Sequence, residues 1–117
     1  MSGETKILRK WTGVIRTADE QVYVDYIKAT GLEDYKSTPG NLGFQMVLRA
    51  RGDGTSEVTT VSWWTSLDAI KAFAGEDPGV ARYYPEDDRF LVERPKNVDH
   101  YRIVAGGGPD WTQATGI

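Results

Sequence analysis

The sequence has no cysteine and a single histidine, His100. Without cysteine there is no disulfide, zinc ribbon, iron–sulfur cluster or thiol nucleophile. With one histidine there is no multi-histidine metal centre, and no metal site is expected. Long apolar runs are missing too: none approaches the roughly 20 residues of a membrane-spanning helix. The opening Met1-Ser2-Gly3-Glu4-Thr5-Lys6 lacks the apolar centre of a signal peptide. The expectation is a cytoplasmic protein with no membrane partner. Positive charge is not in excess either. Lys plus Arg number 14 against 17 Asp plus Glu, for a formal net charge of −3. Phosphate binding calls for a net positive face, so no nucleic-acid partner is expected.

What is present fits one globular domain. The chain has 117 residues, 39% hydrophobic and 26% charged, a size and balance that support a single core rather than disorder. Six Tyr and four Trp stand against three Phe. Such side chains have apolar bodies and polar tips, and suit half-polar pockets and interfaces. Conventional catalytic groups are few; amphipathic aromatics are many.

Hydrophobic spacing lays out the elements. Ile7 to Arg16 reads as a strand, with Leu8, Thr12 and Val14 on one face and Ile7, Trp11, Gly13 and Ile15 on the other. Thr17 and Glu20 have the spacing of a capping box for a helix to about Thr30. Val22, Tyr23, Tyr26, Ile27 and Thr30 form its apolar stripe, and Gly31 is placed to end it. A short turn over Leu32 to Lys36 and a turn at Thr38-Pro39-Gly40-Asn41 follow. Leu42 to Arg51 and Thr55 to Trp64 are strands joined by a tight Gly52-Asp53-Gly54 hairpin. Thr65-Ser66 caps a second helix from Leu67 to about Ala74, closed by Gly75. Val80 to Tyr84 reads as a helical turn and Arg89 to Glu93 as a short strand. Asp99 to Ala105 is the last full strand. Residues 1–105 are thus one domain, and 106–117 a Gly-rich extension containing Trp111.

The order strand, helix, strand, strand, helix, strand defines an α+β, ferredoxin-like βαββαβ fold with a four-stranded antiparallel sheet. Helices cover one face of such a sheet, and the other should be polar. Here both faces carry apolar groups: Trp11 and Ile15 stand opposite Leu8 and Val14, and Val61 and Trp63 opposite Val58 and Trp64. The chain has no spare helix to cover a second face, so a homodimer with sheets packed face to face is expected.

These marks resemble a known family. Trp11 and Gly13, Pro39-Gly40-Asn41 before Leu48-Arg49, Trp64 with Ser66, Ala69 and Ile70, Phe73-Ala74-Gly75, Ala81, Tyr84-Pro85-Glu86-Asp87 and His100-Tyr101 occur in the order seen in antibiotic-biosynthesis-monooxygenase-like proteins. That family lies within the dimeric α/β-barrel superfamily, and the resemblance spans about residues 7 to 105. It implies a dimer whose two sheets form a barrel. It also implies oxidation of an aromatic or polyketide-like small molecule by oxygen, with no cofactor. Haem-degrading relatives need an axial histidine where this chain reads Val80-Ala81-Arg82-Tyr83-Tyr84, so that branch is not expected unless Tyr83 or Tyr84 acts as an oxygen ligand. The phenol-oxidising branch implies His100 as base, with the Trp64 indole and Arg49 guanidinium holding the anion. Tyr26, Tyr83, Tyr84 and Phe73 would line the substrate slot. Thr60 stands where characterised members carry an Asn. Two other readings use the same scaffold: a non-oxygenase enzyme (isomerase, cyclase or dehydratase), and a non-catalytic small-molecule-binding dimer. Taken without the family, the residues have plainer readings. Trp64 would anchor the second helix, Arg49 would pair with Glu57, Trp11 and Trp63 would be core or interface, and Glu86-Asp87-Asp88 would be a solvated turn.

Overall fold

The structure, a computed structural model, describes residues 6–106. The expected extension over 106–117, with Trp111, lies outside the described residues apart from Gly106. The chain forms β1 (Ile7–Arg16), a 3₁₀ turn (Thr17–Asp19), α1 (Glu20–Ala29) and α2 (Gly31–Ser37). Then come β2 (Asn41–Ala50), β3 (Thr55–Trp64), α3 (Leu67–Ala74), α4 (Asp87–Phe90), β4 (Leu91–Glu93) and β5 (Asp99–Arg102). The sheet runs β2-β3-β1, and β4 and β5 share the far edge of β1. Every pairing is antiparallel. This is the ferredoxin-like α+β fold with its fourth strand position divided in two.

The division has a local cause. β4 pairs with Val14 and Ile15, and β5 with Ile7 to Lys10. Residues 94–98 leave the ladder between them, and Pro95 has no N–H to donate there. The segment before α4 takes up their backbone instead: Ala81 N donates to the Lys96 carbonyl at 2.7 Å, and Val98 N to the Gly79 carbonyl at 2.9 Å. The helical turn expected at Val80 to Tyr84 therefore does not form. Val80 bridges Asn97, and the turn comes later, as α4.

The first helix also starts differently from its sequence signature. Glu20 does not close a capping box on Thr17. Both reach Ser56 on β3, whose hydroxyl lies 2.9 Å from Thr17 Oγ1 and donates to Glu20 Oε2 at 2.5 Å. Gly31 does not end α1; it opens α2. Of the expected stripe, Tyr23 and Ile27 are buried, but Val22 is 55% exposed. The second helix matches its signature: Ser66 Oγ accepts from Ala69 N at 3.1 Å, and Gly75 closes it with φ 97°.

Alternation along the strands separates two faces. Toward the helices point Ile7, Arg9, Trp11, Gly13 and Ile15 of β1, opposite Trp64, Ser62, Thr60, Val58 and Ser56 of β3. Two apolar clusters form on that side. One joins Ile15, Tyr23, Ile27, Val58 and Phe90; the other joins Tyr35, Trp64, Ile70 and Phe73. Polar Arg9 and Thr60 sit on the strands between them. Trp11, expected in the core or at an interface, is on this side: its indole N–H donates to Tyr83 Oη at 3.2 Å. Gly13 makes room for the ring, since a Cβ there would lie 2.7 Å from it.

The other face is charged at one end, with Arg49 on Glu57 at 2.7 Å and Arg51 on Glu93 at 3.5 Å. At the other end it is apolar, with Leu8, Val61, Trp63 and Tyr101 on neighbouring strands.

Candidate functional site: an aromatic cavity holding an unpaired arginine

Where the two clusters part, a cavity of about 40 Å³ opens between sheet and helices. Its floor is Arg9, Trp11 and Thr60 of the sheet with Val98. Tyr23 and Ile27 of α1, Gly31 and Tyr35 of α2, and Phe73 of α3 form walls. Arg82, Tyr83, Tyr84 and Asp87 close it from the segment before and in α4.

Arg9 is the unusual member. It is 3% exposed, yet none of the ion pairs found among the described residues includes it. Its Nη1 donates to Tyr35 Oη at 3.3 Å, which lies 3.3 Å from Thr60 Oγ1. Its Nε and Nη2 are buried with no hydrogen-bond partner. The Phe73 ring lies 5.2 Å from the guanidinium carbon, a partial compensation through its π face. Burial lowers the pKa of Arg9, and Arg82 adds to this; Tyr35 and Tyr84 work the other way.

The acids nearby are engaged elsewhere. Asp34 takes Arg82 Nη2 at 3.0 Å and the Tyr84 hydroxyl at 2.5 Å. Asp87, read from the sequence as part of a solvated turn, is 2% exposed. It accepts from the Tyr23 hydroxyl at 3.1 Å and from the Tyr84 backbone N–H at 2.6 Å. Burial pushes its carboxyl above the usual range, against the lowering effect of those bonds and of Arg94. The phenols of Tyr23, Tyr83 and Tyr84 are pushed up, chiefly by burial, so they stay protonated and act as donors.

The residues picked out in the sequence divide between places. Tyr83, Tyr84 and Phe73 line the cavity. Tyr26 packs against the first cluster and accepts from Glu86 N at 3.1 Å with its hydroxyl, outside the lining. Trp64 is fully buried in the second cluster, its indole N–H donating to Ser62 Oγ at 2.8 Å, so it has no free donor for an anion. Arg49 lies on the opposite face of the sheet, paired with Glu57. His100 does not line the cavity; it is the cross-strand partner of Arg9, half-buried, with Nε2 unpartnered. Burial first, then Arg9, lowers its pKa, with Asp99 opposing. It is therefore neutral at neutral pH. The sequence reading passed over Arg9, although one signal was there: Arg9 falls in phase with Ile7, Trp11 and Ile15 on the helix-facing side.

Fold and cavity together define a ferredoxin-like α+β protein with a small gap between helices and sheet. Solved proteins share that fold. A Bacillus cereus protein provisionally named an antibiotic biosynthesis monooxygenase superposes with a TM-score of 0.60 at 17% identity, covering 89% of this chain and 98% of that one. A dimeric ferredoxin-like protein from an uncultured marine organism gives 0.60 at 14% identity, covering 89% and 100%. A haem-degrading protein from Mycobacterium tuberculosis gives 0.55 at 18% identity, covering 91% and 99%. The resemblance read from the sequence thus holds at the level of the fold. No protein-family model and no curated protein matches the chain. No helix among the described residues is long and apolar enough to cross a membrane.

Haem itself does not fit this cavity. About 40 Å³ is far below a macrocycle, and both tyrosines of the 80–84 stretch have spent their hydroxyls, Tyr83 on the Pro95 carbonyl and Tyr84 on Asp34.

Proposed function

We propose that the protein is a cofactor-independent, monooxygenase-like enzyme that binds a small aromatic molecule as an anion in the helix-facing cavity. What carries this reading is Arg9, a buried cation with no counter-ion among the described residues, at the floor of an aromatic-walled gap. An anionic ligand supplies the missing charge. Asp87 is the proton acceptor in the wall, because burial raises its affinity for a proton and each of its oxygens keeps a free acceptor site. A phenol deprotonated there is electron-rich enough to reduce oxygen directly, and its developing charge is held by the cations of the lining, Arg9 and Arg82. His100, kept neutral beside Arg9 but outside the cavity lining, is not needed as the base. The active unit is a homodimer joined through the apolar end of the open sheet face.

Oxygen uptake with a panel of hydroquinones and anthrones tests this. Uptake should fall by on the order of 10²-fold or more in Asp87→Asn and survive in His100→Ala. No uptake on any member of the panel overturns the oxygenase reading. A non-catalytic binding protein is then the better account. One observation favours it: in this closed form the cavity, about 40 Å³, admits no ring unless the tyrosine wall parts.

A further inference from the structure

We propose that the cavity's ligand is a carboxylic acid, whose carboxylate is taken side-on by the Nε–Nη2 edge of Arg9. The proposal rests on the reading above that this cavity is the ligand site, and it deepens that reading by naming the anionic group. Arg9 uses Nη1 on Tyr35, and the two atoms left without partners are Nε and Nη2. Those two nitrogens point their N–H bonds the same way along one edge of the planar guanidinium. That edge matches the two oxygens of a carboxylate, as a pair of parallel charge-assisted hydrogen bonds. A phenolate has one oxygen and would leave one donor orphaned.

Among the described residues, no carboxylate already fills the role. Asp34 is held by Arg82 and Tyr84, and Asp87 by Tyr23 and the Tyr84 backbone. The face of the guanidinium is covered by the Phe73 ring, so recognition must come at the edge. In this closed form the gap, about 40 Å³, admits no ring, and the Nε–Nη2 edge is buried, so binding requires the tyrosine wall to part. A permanently charged group is retained, buried, at a place where an apolar side chain would pack at lower free energy. A carboxylate would supply the counter-charge that Arg9 lacks among the described residues, and the aromatic walls favour an aromatic acid.

The test is calorimetric titration of the full-length protein with benzoate, with its neutral isostere benzamide, and with phenol. Melting curves are recorded with and without each. Benzoate should bind and raise the melting temperature, with benzamide and phenol weaker by on the order of tenfold or more. Arg9→Lys keeps the charge but loses the fork, and should weaken benzoate by at least about tenfold. Arg9→Met should abolish benzoate binding while raising the melting temperature of the free protein. A merely structural arginine would give the opposite shift. If Arg9→Met does not fold, Arg9→Lys carries the comparison. Equal binding of benzoate and benzamide, or no benzoate binding, overturns the proposal, as does tighter binding of phosphate or chloride. Oxygen uptake plays no part in these measurements. A protein that binds benzoate but consumes no oxygen sinks the oxygenase reading alone.

Discussion

His100 stands beside a buried cation, and this determines the sign of its titration. Burial and Arg9 hold its pKa below the ordinary imidazole value, which is about 6.5. The unfolded chain, where neither effect operates, binds the proton more readily. Stability therefore rises with pH wherever the unfolded state carries more protons. It is complete above the ordinary imidazole pKa and is lost as pH falls through that value toward the lower, folded one. Asp87 acts with the opposite sign, because its raised pKa makes the folded state the better proton binder. The urea midpoint should accordingly drop between pH 7.5 and 5.5 in the native sequence, and the drop should shrink in His100→Gln. An unchanged drop would show that the imidazole is not the group responsible. His100 is the single histidine, so one imidazole resonance followed by NMR gives its midpoint directly. That midpoint should lie below 6.5.

Two glycines show how elements are joined, and why similar turns carry different weight. Gly40 has φ 93° and Gly52 φ 85°, both in the left-handed region. At Gly52 nothing lies within reach of an added Cβ, whereas at Gly40 it would meet Ala69 Cβ at 2.5 Å and Thr65 Oγ1 at 2.9 Å. The Gly40 carbonyl also accepts from Thr65 N at 2.9 Å, tying the entry of β2 to the entry of α3. Gly52→Ala should cost about 1–2 kcal/mol, the left-handed penalty alone. Gly40→Ala adds overpacking against α3 and should cost about 2–5 kcal/mol. Urea midpoints rank the two, and equal losses would refute the close packing at α3. Elements like these were legible beforehand because local chemistry decides them: the Gly52-Asp53-Gly54 hairpin, the Ser66 cap and the span of β3 all follow from neighbouring residues. Both pieces of the edge strand were legible as well, within Arg89 to Glu93 and Asp99 to Ala105; that they share one edge of β1 was not, since it depends on 79–81 meeting 96–98 across the fold. The candidate site divides in the same way. Tyr83, Tyr84 and Phe73 declared themselves as aromatics. Arg9 looked like one charge in a strand until its phase with Trp11 and Ile15 was matched to a helix-covered face. Trp64 misdirected, because Ser62, two residues away on the same face, consumes its only donor.

At the scale of the molecule, the two faces of the sheet meet different needs. The helix side buries two clusters and the Arg9 cavity. The open side keeps charged pairs at one end and apolar side chains at the other, where Tyr101 is 49% exposed; Val47, 52% exposed, lies between them opposite Thr59. Apolar groups on this face, bounded at one end by ion pairs, are what the proposed dimer would cover. A two-fold contact uses the same patch from both copies. One substitution then enters the interface twice, and a carboxylate placed there meets its own image in an apolar setting. Val47→Asp should therefore dissociate the proposed dimer, whereas Val22→Asp should not. Val22 is just as exposed, at 55%, but lies on α1, on the helix side of the sheet. By sedimentation at micromolar concentration the native protein should run at twice its 13.0 kDa mass. Val22→Asp should run with it, and Val47→Asp at the single mass. A native protein already at the single mass would remove the dimer. A Val47→Asp protein that remained paired would move the contact to another surface.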